Sequence, residues 1–81
     1  MSKTEKLLVR ARRQPAGLSF DEFKALLVRC EWVFDHQTGS HEIWYSLGRY
    51  RLPIQPAGGG KAKGYQVKQF LRVLEQEESD G

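Results

Sequence analysis

EWVFDHQTGSHEIWYS, residues 31–46, is the stretch that decides the fold. Trp32, Val33 and Phe34 favour extended chain, Thr38-Gly39 interrupts it, and Ile43, Trp44 and Tyr45 resume it. Two strands joined by a tight turn follow from this pattern. The turn delivers His41 onto the first position of the returning strand. Histidine has an unperturbed pKa of about 6.5, so it both takes and gives a proton near neutral pH. His41 is therefore either a reacting group or simply a polar residue that closes a turn.

Downstream, Leu47-Gly48 makes a second reversal, and Arg49 to Gln55 alternates with Tyr50, Leu52 and Ile54 on one face. Pro53 has no amide proton to give a ladder, so this third strand belongs at a sheet edge. Pro56-Ala57-Gly58-Gly59-Gly60 reads as a flexible connection to a helix over about residues 65–77, whose apolar stripe is Val67, Phe70, Leu71 and Leu74. Lys68, Gln69, Arg72 and Glu75 fall on its wet side.

Upstream, Ser19-Phe20-Asp21-Glu22 is a capping box, with Leu18 and Phe23 at the positions of a hydrophobic staple. Phe20, Phe23, Leu26, Leu27 and Cys30 share a face of the helix that runs to Arg29. A second box, Ser2-Lys3-Thr4-Glu5, opens a shorter helix to Arg13 with Leu7, Leu8 and Ala11 inward, stopped by Pro15 and Gly17. Arg10, Arg12 and Arg13 suit the negative end of its dipole. The expected divisions are an N-terminal helical extension (1–17), a domain (18–76) and a frayed acidic tail (77–81). The fold class is α+β, an α-β-β-β-α order with a three-stranded antiparallel sheet and two helices on one face, plus the short extra helix.

A chain of 81 residues holds one small domain and, at this size, buries only about 60 % of its unfolded surface. Function therefore belongs on an open surface. The 40 % hydrophobic content, with two Trp, three Tyr and four Phe, excludes disorder for the centre. Net charge is +3, and Glu75, Glu77, Glu78 and Asp80 gather acid at the end, so the body is more basic than the total. Basic bodies favour anionic partners such as RNA, and from charge alone they equally serve to keep a small domain soluble. One cysteine, Cys30, provides neither a disulfide nor a CxxC zinc site, and no apolar run is long enough for a leader or a membrane span. A reducing cytoplasm is expected.

Lys61 and Lys63 stand before the last helix, where free amides and the positive dipole end converge, and Lys68 and Arg72 extend the charge. They read either as an anion site or as solvated lysines in a loop. That layout of elements is dsRBD-like, the arrangement in which loop and helix N-terminus grip RNA phosphates. His36, near the end of the preceding strand, can approach His41 across the hairpin, and two histidines suggest an acid-base pair or a metal. His36 reads as a strand-end surface residue, and alternation takes Asp35 and Glu42 off their neighbours' face. With Cys30 on the apolar stripe, the two histidines have no third ligand, so a metal is not expected.

Gly39-Ser40-His41 after a Trp-Val-Phe strand, followed by GGGKAKGYQVKQFLRVLE, resembles the HicA-type mRNA interferases, toxins of type II toxin-antitoxin pairs. The similarity runs from about Phe20 to Leu74. It implies a dsRBD-like fold, cleavage of mRNA, a HicB-type antitoxin partner, and His41 as the catalytic residue. The chain departs from the family at Gln55, where many relatives have a second histidine, and in its N-terminal helix, which the shortest relatives lack. Metal-free RNA cleavage needs a base for the 2′-hydroxyl, an acid for the leaving oxygen and positive charge at the phosphate. On this reading His41 is the acid/base group, Gly39, Ser40, Lys61, Lys63 and Lys68 hold RNA, and no cofactor is required. The alternatives are a non-catalytic RNA-binding module and a protein-docking module that presents Trp44 or Tyr45.

Overall fold

The Ser19 hydroxyl accepts the Glu22 amide at 3.0 Å while the Glu22 carboxylate accepts the Ser19 amide at 2.9 Å, so the capping box closes in full and α2 runs Phe20–Arg29. Leu18 and Phe23, the staple pair, are fully buried. The computed structural model describes residues 2–80; Met1 and Gly81, the ends of the expected extension and tail, lie outside the described residues. The other elements are α1 (Lys3–Arg13), β1 (Val33–Thr38), β2 (His41–Tyr45), β3 (Arg51–Ile54) and α3 (Gly64–Asp80). Ser2 caps α1 by accepting the Glu5 amide at 3.1 Å, and a 3-10 turn at Pro15–Gly17 ends that segment.

The sheet is antiparallel in the order β1-β2-β3, which leaves Pro53 on an edge strand as its chemistry requires. Trp44, Leu52 and Ile54 point from the sheet into a core shared with Phe23 and Leu27 of α2 and Val67 and Phe70 of α3. Both helices therefore cover one face, and Ala11 brings α1 into the same core. The Phe70 ring meets Phe23 at 5.9 Å and Trp32 at 5.7 Å, both edge to face. Arg10 of α1 pairs with Glu22 of α2 at 2.5 Å, so this arginine has a structural partner.

Four expectations change. The glycine segment is ordered: residues 58–60 form a 3-10 turn, Ala57 donates to the Lys61 carbonyl at 2.7 Å, and bridges Pro56–Ala62 and Ser19–Lys61 fasten both sides. The last helix does not fray after Gln76, because the Glu77 carboxylate accepts the Ser46 hydroxyl at 2.7 Å and the Gly48 amide at 3.2 Å. A Cβ at Gly48 would lie 2.2 Å from that carboxylate, so a side chain there would push the Glu77 carboxylate off its donors. The third strand starts at Arg51 instead of Arg49, since Arg49 takes φ 71° to close the loop in which Ser46 donates to the Tyr50 carbonyl. Tyr50 is then 39 % exposed, its ring still 6.5 Å from Trp32.

The Arg10 guanidinium, then the Ser19 amide, hold the Glu22 carboxyl down from 4.5 to about 2. A depressed carboxylate contributes stability that is present above its unfolded pKa and lost as pH falls through the folded one. In thermal melts, Glu22→Gln is expected to lose less Tm than wild type between about pH 5 and pH 2. Ser19→Ala removes one half of the box and is expected to cost about 1 kcal/mol, about 4–8 °C in Tm for a domain of this size.

Candidate functional site

Thr38 pairs with His41 across a two-residue loop, Gly39-Ser40, and Gly39 has φ 60° while Ser40 does not take a positive value. Glycine at the first central position is the type II′ pattern, whose twist matches the strands it joins. His41 thus begins β2 at a fixed register and is exposed. Alternation along β2 turns Trp44 and Glu42 toward the helices and His41, Ile43 and Tyr45 to the opposite face. The Glu42 carboxylate accepts the Trp44 indole proton at 3.1 Å and lies 3.5 Å from the Lys24 ammonium. Glu42 is accordingly kept off the face of His41. Trp44 is only 5 % exposed, so it cannot present a docking surface; on that strand only Tyr45 of the two faces outward.

Ser40 donates its hydroxyl to Gln55 Oε1 at 3.3 Å, and the Gln55 amide donates to Gln66 Oε1 at 3.0 Å. Gln66 is 3 % exposed and sits in the first turn of α3. This chain of polar contacts ties the histidine turn, the end of β3 and the start of α3 to one end of the molecule. Gln55 follows the pair Glu42–Ile54 and so comes level with His41.

Lys63 immediately precedes α3, its ammonium 6.0 Å from the Tyr65 ring centre; Lys61 is bridged through its backbone to Ser19, and Lys68 is exposed one turn into the helix. Among the described residues none of the three forms an ion pair within the protein, and the first turn of α3 carries no acidic residue. The structure thus gathers Gly39, Ser40 and His41 in the turn, and the lysines around the start of α3. No hydrogen bond or ion pair among the described residues joins the two groups directly. The connection runs through Gln55, marked in the sequence only as a departure from the family, and Gln66, which the sequence reading passed over. The signal was available: Gln66 is four residues before Phe70 and so lies on the buried stripe.

The remaining candidates lie apart. Cys30 is half-buried at the end of α2, and burial pushes its thiol up, away from reactivity. An open groove of about 510 Å³, lined by Val33, Asp35, Tyr45, Ser46, Leu47 and Arg49, occupies the other end of the hairpin without His41. Among the described residues no three His, Cys, Asp or Glu side chains come together as a metal-ligating group, and no helix is long and apolar enough to cross a membrane.

A family model described as HicA toxin of bacterial toxin-antitoxin matches residues 20–76. No curated protein and no solved structure matches the chain. The match begins at the first residue of α2 and leaves α1 outside it.

Gln66→Ala leaves the Gln55 amide without its acceptor. It is expected to destabilise the domain by about 1–3 kcal/mol in urea unfolding, with the largest amide shift changes at Gln55 and Ser40.

Proposed function

The chain belongs to the HicA toxin family of bacterial toxin-antitoxin systems, and from that premise we propose that it is a cytoplasmic endoribonuclease that cleaves mRNA and is neutralised by a HicB-type antitoxin. The observation that carries this reading is the position of His41: exposed, fixed by a type II′ turn, and tied through Ser40, Gln55 and Gln66 to the lysine-bearing start of α3. A strand of RNA lying across that end has its phosphates near Lys61, Lys63 and Lys68 and its ribose near His41. The imidazole takes the 2′-hydroxyl proton, the 2′-oxygen attacks phosphorus, and cationic side chains stabilise the charge that develops on the phosphoryl oxygens. Gly39 shapes the approach by keeping the turn free of a side chain, and Ser40 offers its hydroxyl beside the ribose. Neither a metal nor an organic cofactor enters this scheme.

The same lysines support a second reading, a module that binds RNA without cleaving it. The two separate cleanly with purified protein and a labelled RNA. His41→Ala is expected to lose about 10²-fold or more in cleavage rate, the usual worth of an acid/base group, while still binding RNA. Binding by wild type with no cleavage at all would leave the module, whereas cleavage at the wild-type rate by His41→Ala would remove His41 from the reaction. Removing Lys61 and Lys63 together is expected to weaken binding uniformly across sequences and to flatten its salt dependence by about 0.7 per lost phosphate contact.

A further inference from the structure

The two strands of the hairpin are out of simple register. Val33 and Phe34 pair with Tyr45 and Trp44, but His36, Gln37 and Thr38 pair with Ile43, Glu42 and His41, so the register slips by one and Asp35 is the extra residue of a bulge. In an unbroken register Asp35 would pair with Ile43 and His36 would stand opposite Glu42, on the face that carries the helices. With the bulge, His36 stands opposite Ile43, and Ile43 shares its face with His41. The bulge therefore transfers His36 to the open face, diagonally across the hairpin from His41. Diagonal neighbours of this kind lie about 7–8 Å apart, within joint reach of one phosphodiester group.

The bulge also turns Asp35 onto its neighbour. The Asp35 carboxylate lies 2.6 Å from His36 Nδ1, and because an ionised carboxylate only accepts, Nδ1 carries the proton and Nε2 is left as the outward nitrogen. Both side chains are about half exposed, 49 % for His36 and 55 % for Asp35, so an RNA strand can reach them. Among the described residues His41 has no carboxylate partner, and Gln55, level with it on the other side, has an amide and no proton to transfer.

We propose that His36, oriented by Asp35, is the general acid that protonates the leaving oxygen while His41 acts as the base. This role rests on the RNA-cleavage reading above. The step balances without a co-reactant. The 2′-hydroxyl proton passes to His41, the 2′-oxygen forms a bond to phosphorus, and the bond from phosphorus to the 5′-oxygen breaks. The departing oxygen keeps the electron pair and receives the Nε2 proton of the His36 imidazolium. A 2′,3′-cyclic phosphate and a free 5′-hydroxyl result, and neutral His36 keeps its proton on Nδ1, donated as a hydrogen bond to the Asp35 carboxylate. His36 is thus a catalytic residue, and Asp35 a positioning residue that acts through it.

The test compares wild type, His36→Ala, His36→Asn and His41→Ala on two substrates, a short RNA and a ribonucleoside 3′-(4-nitrophenyl phosphate). Nitrophenolate departs without a proton, so the second substrate needs a base and no acid. Both His36 variants are expected to lose about 10²-fold on RNA yet stay within about threefold of wild type on the aryl ester, while His41→Ala loses on both. Undiminished RNA cleavage by the His36 variants, or equal loss on the two substrates, overturns the role of His36 and leaves the cleavage reading standing. Wild type inert on both substrates overturns the cleavage reading, and this role with it. The positioning part has its own signature in the imidazole nitrogen shifts. Asp35→Ala is expected to move neutral His36 from the Nδ1-protonated to the Nε2-protonated tautomer, and an unchanged tautomer overturns the part given to Asp35.

Discussion

The ring of Phe70 packs edge-on against Phe23 of α2 and Trp32 at the entry to β1, and this contact obliges both domain helices to lie on one side of the sheet. A domain of this size has apolar residues for one core only. The other side of the sheet is therefore left without a covering layer, and it is there that alternation sends His41. The candidate site is open because the core is small. Ile43 is the exception on that face, buried to 2 % between its cross-strand partners His36 and Pro53.

A thin core leaves the relation between sheet and helix to be fixed by polar contacts, and α3 is pinned at both ends. Near its start Gln66 accepts the amide of Gln55, just beyond β3. Near its end Glu77 accepts from Ser46 and Gly48, in the loop before β3. Each side chain receives a backbone donor that strand pairing leaves over, the Gln55 amide in a partly buried place and the Gly48 amide in an exposed one. The helix is thereby held in register along the strand, and the lysines at its start keep their place relative to the histidine turn.

What was legible in the sequence is what local chemistry dictates. The capping box at Ser19 and Glu22, the glycine turn before His41, the edge position of Pro53 and the helix stripe with Phe70 each depend on residues within a few positions of one another. What was missed depends on distant partners. The glycine segment looked loose, but strand-like bridges to Ala62 and Ser19 order it. The acidic end looked frayed, but Glu77 finds donors some thirty residues away. The bulge at Asp35 carries no glycine and no break in composition, so simple alternation took Asp35 off the face of His36, whose ring it in fact meets. Of the candidate site, the turn with His41 was readable; the polar link through Gln55 and Gln66 and the contact of Asp35 with His36 were not.

The two edges of the sheet are unequal, and this limits how copies of the chain can associate. β3 offers four residues, one of them Pro53, which has no amide proton, whereas β1 offers six exposed residues with no proline. An edge without a proline can recruit another strand, and a short proline-bearing edge resists it. Polymerisation by strand addition needs two competent edges on every copy, and this sheet has one. Pairing through β1 would join two molecules about a twofold axis into a six-stranded sheet with a β3 at each margin, and growth would end there. Pro53 therefore works as a chain terminator for sheet growth, in a protein whose other edge and uncovered face stay open to solvent.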